Sequence, residues 1–168
     1  MKKKVNTRDL VDKIAKITRE RMTSGAVVDF NNIKNNLQKK HTPTLLVVED
    51  DETLRKALKR IFEASGYRVL AASDGSELSE VLYETYIDLI MLDVGLPWID
   101  GFELAEMMKN HPDLNPVPIV FISGNSDQEA IKKGFFVGAH DYITKPFDIE
   151  KVKKTVDTLL ELSGAIEG

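Results

Sequence analysis

Four short stretches of this chain have residue types suited to phosphoryl chemistry, and each one closes an apolar run. They are Glu49-Asp50-Asp51 after Leu45–Val48, Asp93 after Leu89–Leu92, Ser123 after Val120–Ile122, and Thr144-Lys145-Pro146 after Tyr142-Ile143. Carboxylates brought together raise one another's pKa values, and a cation relieves the repulsion. With no cysteine in the chain and no histidine in these stretches, the donors are all oxygen, which suits Mg2+ rather than zinc. Magnesium keeps several waters and leaves room for phosphate oxygens. The Lys145 ammonium and the Ser123 hydroxyl could take the remaining oxygens of a phosphoryl group carried on one carboxylate, a site that works by positioning and charge neutralisation.

Such a set needs a scaffold that brings distant strand ends together. The stretch IDLIMLDVGLPWIDG, residues 87–101, reads as a strand apolar at nearly every position, followed by turn residues Gly95, Pro97 and Asp100-Gly101. An unbroken apolar run suits a strand covered on both faces, hence a parallel sheet flanked by helices. From Thr44 onward, strands and amphipathic helices alternate five times. Strands are expected at Leu45–Val48, Tyr67–Ala71, up to Asp93, Val117–Ile122 and Ala139–Ile143, and helices at 51–64, 75–85, 101–110, 127–136 and 149–162. Leu54, Ala57, Leu58, Ile61 and Phe62 form the inward stripe of the first of these helices, which Gly66 ends. The alternation implies right-handed crossovers and a three-layer α/β sandwich, with all four polar stretches at one edge of the sheet, where such folds bind ligands.

Each candidate also has a plainer use. Asp51 caps the first helix and Asp50 does not; Tyr142 could be core packing, and Ser123 could serve backbone groups only. Trp98 reads as a loop-packing or partner-contact residue. His41 lies in a linker, His111 and His140 on the surface, none with metal-ligand spacing.

Composition narrows the classes. At 168 residues and 42% hydrophobic content the chain suits one domain with an appendage. The absence of cysteine excludes disulfides, zinc-thiolate sites and thiol nucleophiles. No apolar stretch reaches membrane-spanning length, and the opening MKKKVNTRDL lacks the apolar core of a secretory signal, so a cytoplasmic protein without membrane contact is expected. The net charge of −4 hides a division. Residues 1–42 hold 11 Lys+Arg against 4 Asp+Glu, a net +7, and residues 43–168 hold 12 against 23, a net −11. The basic part reads as a helical arm. Thr7 caps a helix with Leu10, Val11, Ile14 and Ile17 on one face, and Asp29 caps a shorter one with Phe30, Ile33 and Leu37. The expected divisions are an extension and linker at 1–42, the α/β unit at 43–163 and a tail at 164–168.

The segments LLVVEDDETLRKAL, DLIMLDVGLPWIDGFEL, PIVFISG and GAHDYITKPFD, taken in order, resemble the receiver domain of two-component response regulators, from Leu45 to about Leu162. The resemblance implies a flavodoxin-like, five-stranded parallel sheet of order 2-1-3-4-5. It implies Asp93 as phosphoacceptor, Glu49 and Asp50 as the acidic pair that holds Mg2+ together with Asp93 and the backbone carbonyl of Gly95, and Lys145 as the phosphoryl partner. Lys145-Pro146 becomes a candidate cis bond. Ser123 stands where Thr is commoner and keeps the hydroxyl, and Tyr142 matches the switch aromatic. Gly95 offers no side chain to orient an attacking water, so an acyl phosphate on Asp93 is expected not to be especially short-lived, with Asn125 the other position to test.

The implied function is a switch rather than an enzyme: a histidine kinase or histidine phosphotransfer protein phosphorylates Asp93, and a downstream protein reads the face made by the fourth helix, fifth strand and fifth helix. With six residues after the last helix, a stand-alone receiver is expected. The stripe at residues 7–22 could pair with a second copy or a partner helix, or the basic arm could lie on the acidic body. Nucleic-acid binding ranks last, because Phe30 is the arm's only aromatic and no recognition motif is present. A Mg2+-dependent haloacid-dehalogenase-like phosphatase is the rival enzyme class. It would need an acid/base Asp two residues past the nucleophile, where this chain has Gly95.

Overall fold

The computed structural model describes residues 41–166; the arm helices expected over residues 7–22 and 29–37 lie outside them. Five strands alternate with five helices: β1 Thr44–Val48, α1 Glu52–Ala64, β2 Arg68–Ala72, α2 Gly75–Glu84, β3 Leu89–Asp93, α3 Gly101–Lys109, β4 Ile119–Ser123, α4 Gln128–Phe136, β5 Asp141–Thr144 and α5 Ile149–Leu162. All pairings are parallel and the sheet order is β2-β1-β3-β4-β5. Strands β1, β3 and β4 are buried along their whole length. Their side chains alternate between two cores, as the pleat requires. Leu46, Val48, Ile90 and Leu92 meet Leu78, Phe102, Leu104 and Met108 of α2 and α3 on one face; Leu45, Val47, Leu89 and Met91 meet Leu58 and Phe62 of α1 and Val152, Val156 and Leu160 of α5 on the other. The expected three-layer arrangement is therefore present. Phe62 is fully buried, and truncating it to Ala would cost roughly 3–5 kcal/mol.

Three strands start later than expected, each because a backbone group bonds elsewhere. The Tyr67 N–H closes the end of α1 on the Phe62 carbonyl, so β2 begins at Arg68. Val117 N–H bonds Leu114 O in a turn and Pro118 has no N–H to give, so β4 begins at Ile119. Ala139 N–H is taken by the Gly134 carbonyl at the end of α4, and β5 begins at Asp141. In α1 the inward stripe is narrower than the spacing suggests: Leu58 and Phe62 are buried, Leu54 packs partly, and Ala57 is exposed. Ala57 presents one methyl group, so leaving it in water costs little. No helix among the described residues is long and apolar enough to cross a membrane.

Candidate functional site

The strand order reverses direction around β1, which lies between β2 and β3, and a crevice opens at the carboxyl ends on either side of such a reversal. Glu49 and Asp50 follow β1 directly and Asp93 ends β3, so the acidic residues border this crevice. The loop after Asp93 is drawn tight. Gly101 N–H donates to the Val94 carbonyl at 3.0 Å, and a Cβ on Gly101 would lie 2.4 Å from the Asp93 carbonyl oxygen and 2.5 Å from Val94 Cα. Only glycine allows this approach. Asp100 caps α3 through the Phe102 N–H, and the Trp98 indole N–H donates to Ser73 O at 3.0 Å, tying the loop after β3 to the one after β2.

Glu49 and Asp93 are buried, whereas Asp50 is exposed. One carboxylate oxygen from each lies within 4.8 Å of the other two. The three converge as a hard cation would require, with no nitrogen or sulfur donor among them. Gly95 lies exposed in the loop, and its N–H holds Asp93 Oδ1 at 3.1 Å. Asp51 Oδ1 accepts the Leu54 N–H at 2.8 Å, so this third acid of the run is the helix cap, as expected.

Lys145 reaches the cluster from the far end of β5. Its Nζ lies 2.8 Å from Glu49 Oε2 and 3.6 Å from Asp93 Oδ2. The Lys145-Pro146 peptide is cis. Burial raises the Glu49 carboxyl above its usual range; the hydrogen bonds from Lys145 and from the Asp51 N–H oppose this, and the nearby Asp93 charge adds to it. For Lys145, burial works against the ammonium, but the Glu49 hydrogen bond and the fields of Asp93, Glu49 and Asp50 outweigh it and raise its pKa.

Ser123 is buried at the end of β4, one residue past the one that registers with Asp93. Its Oγ accepts the Asn125 N–H at 3.1 Å, and the Asn125 carbonyl accepts the Tyr142 hydroxyl at 2.7 Å. Tyr142 is buried, with its ring 5.9 Å from that of Phe121 and close against Gly134. The backbone of one residue, Asn125, thus links the strand-end hydroxyl to the aromatic side chain.

Two connections leave no trace in the sequence. Arg55 Nη1 donates to the carbonyls of both Glu49 and Asp50, at 2.9 and 3.2 Å, and Trp98 bonds a carbonyl rather than a side chain. Backbone acceptors are carried by every residue, so no pattern of residue types announces them. His41, expected in the linker, pairs with Asp88 at 3.1 Å, and Asp88 also accepts the Thr44 N–H.

Comparison with known proteins agrees with this geometry. The model of the response regulator receiver domain matches residues 45–157. The aerobic respiration control protein ArcA of Escherichia coli is 40% identical over 107 residues, 64% of this chain and 44% of that protein. The regulatory protein VanRB of Enterococcus faecalis is 34% identical over 122 residues, 73% of this chain and 54% of that protein. The chain thus spans about half the length of these curated relatives, or less. Among solved structures, a response regulator from Chloroflexus aurantiacus has a TM-score of 0.66 at 34% identity, over 71% of this chain and 98% of that one. The chemotaxis protein CheY4 of Vibrio cholerae has a TM-score of 0.66 at 28% identity, over 71% and 99%. With the sheet order, the acidic crevice and the family match in agreement, the chain belongs to the response regulator receiver domain family of two-component signalling.

Proposed function

We propose that this receiver takes a phosphoryl group from a phosphohistidine onto Asp93. A carboxylate oxygen of Asp93 bonds to phosphorus as the P–N bond breaks, and that electron pair leaves with the imidazole. Glu49, Asp50, Asp93 and the Gly95 carbonyl would hold Mg2+, which supplies neutralisation of the phosphoryl charge when bound. Lys145 moves its ammonium from Glu49 toward a phosphoryl oxygen. The Ser123 hydroxyl donates to another and draws with it the Asn125 N–H that its oxygen accepts, and Tyr142 follows because the Asn125 carbonyl holds its hydroxyl. The result shifts a two-state equilibrium at the α4-β5-α5 face, where a downstream protein reads it. The observation that carries this reading is the convergence of the Glu49, Asp50 and Asp93 oxygens within 4.8 Å, with Lys145 bridging two of them.

We place the receiver unit at 43–163, after an extension and linker at 1–42 and before a tail at 164–168. The donor is a histidine kinase or histidine phosphotransfer protein, the compartment is the cytoplasm, and the activity is phosphoacceptance with self-catalysed transfer and loss. Residues 7–22 would supply a helix for self-association or a partner.

Treatment with acetyl phosphate or beryllofluoride tests the reading. With acetyl phosphate and Mg2+, wild type gains one hydroxylamine-labile phosphate and Asp93→Asn gains none. Labelling that persists in Asp93→Asn overturns it. Incubation with small phosphate esters should give no sustained hydrolysis; turnover would favour the phosphatase class.

A further inference from the structure

Arg55 occupies the first turn of α1, where the helix dipole disfavours a cation. Its guanidinium faces the loop after β1, and one nitrogen, Nη1, reaches two successive carbonyls, Glu49 O at 2.9 Å and Asp50 O at 3.2 Å. The same two residues supply carboxylates to the acidic cluster. Glu49 is held on every side: its N–H donates to Ala72 O at 3.1 Å, Oε1 accepts the Asp51 N–H at 3.0 Å and Oε2 accepts Lys145 at 2.8 Å. Asp50 is not. Its exposed carboxylate has no protein hydrogen bond among the described residues, so its direction follows from its backbone, and Arg55 holds that backbone.

We infer that Arg55 is a positioning residue for the divalent-cation site, fixing the Glu49 and Asp50 carbonyls so that both carboxylates face Asp93. This deepens the cation-assisted reading above and rests on it. The assignment has a definite rival: a permanent positive charge this close to the cluster could instead weaken cation binding by repulsion. The two predict opposite signs. Loss of partners that orient metal ligands typically weakens binding ten- to a hundredfold.

Mg2+ titration by calorimetry on the full chain decides between them. Arg55→Gln removes the charge and keeps a shorter donor, and it should weaken Mg2+ by about tenfold or more. Arg55→Lys, with a point charge in place of a planar fork, should also weaken it, by a smaller factor. In acetyl phosphate labelling, the half-saturating Mg2+ concentration of both variants should rise, while the rate at saturating Mg2+ returns to the wild-type value. A general loosening of the fold would lower both rate and affinity. Melting in EDTA reports whether each variant folds, and if Arg55→Gln does not, Arg55→Lys decides by its own criterion. Unchanged or tighter Mg2+ binding in the folded variants overturns the assignment and leaves the phosphoacceptor reading standing. Absence of Mg2+ binding in wild type overturns both.

Discussion

Lys145 lies nearer to Glu49 than to Asp93, 2.8 Å against 3.6 Å, so the ammonium belongs to the Glu49 carboxylate more than to that of Asp93. The pair sets a pH dependence. Glu49 has a folded pKa above its usual value, so the native state binds that proton more tightly than the unfolded chain does. Its contribution favours folding at acid pH and is lost as pH rises through the folded pKa. Removing Lys145 takes away a group that lowers the Glu49 pKa and leaves a buried carboxylate without its ammonium. Lys145→Ala should therefore lose on the order of 2 kcal/mol at neutral pH, and its deficit against wild type should shrink as pH falls through the raised Glu49 pKa. Adding Glu49→Gln to Lys145→Ala should recover most of the loss. Urea melts across pH measure all three, and a deficit that grows on acidification would contradict the argument.

Asp50 gives the cleanest test of the cation site, since its exposed side chain takes no part in the core. Asp50→Asn should leave the melting temperature in EDTA unchanged and reduce the stabilisation that Mg2+ gives. Ligand linkage sets the scale: a concentration a hundred times the dissociation constant stabilises by about 2.7 kcal/mol, and each tenfold loss of affinity removes about 1.4 kcal/mol of it. An Asp50→Asn protein that gains as much from Mg2+ as wild type would place the cation elsewhere.

Gly101 carries a different kind of prediction. A methyl group there would meet the Asp93 carbonyl oxygen at 2.4 Å, and that atom is backbone at the end of a buried strand, so it cannot swing away. Gly101→Ala should destabilise the fold by roughly 3 kcal/mol or more, placing it among the severe single substitutions. Gly95→Ala is the control, because a Cβ there meets Asp93 Oδ1 no closer than 3.9 Å. Thermal melts of the two variants should differ sharply.

The sheet and the acid cluster could be read from the sequence because both are written in residue types. Continuous apolar runs demand a strand covered on two faces, and β1, β3 and β4 are such strands. The order 2-1-3-4-5 was implied by family resemblance; periodicity alone could not have ordered the strands. Glu49, Asp50, Asp93 and Lys145 were visible because each closes an apolar run. Arg55, Trp98 and the Asn125 backbone link were not, since each acts on or through backbone groups and every residue carries them. Ala57 misled for the converse reason: it fits the helical spacing, but a small side chain exerts little force on how the helix turns.

The Asn125 backbone joins Ser123 to Tyr142, its carbonyl accepting the phenol at 2.7 Å and its N–H donating to the Ser123 hydroxyl at 3.1 Å. Tyr142→Phe deletes one hydrogen bond at a buried ring and should cost about 1 kcal/mol. It should leave acetyl phosphate labelling of Asp93 near the wild-type rate, since the ring packs on Phe121 and Gly134 and its hydroxyl bonds the Asn125 carbonyl rather than an acidic group. Ser123→Ala should slow labelling, because it removes the hydroxyl proposed to donate to the phosphoryl group. Gly95 completes the contrast. Its position is open and near Asp93 Oδ1, so Gly95→Asn places an amide where it can orient water and should speed loss of the phosphate without changing the rate of its gain. Single-turnover decay after removal of acetyl phosphate separates these effects. If Tyr142→Phe slowed labelling as much as Ser123→Ala, the hydroxyl and the ring would act as one group at the acceptor, and the relay through Asn125 would be wrong.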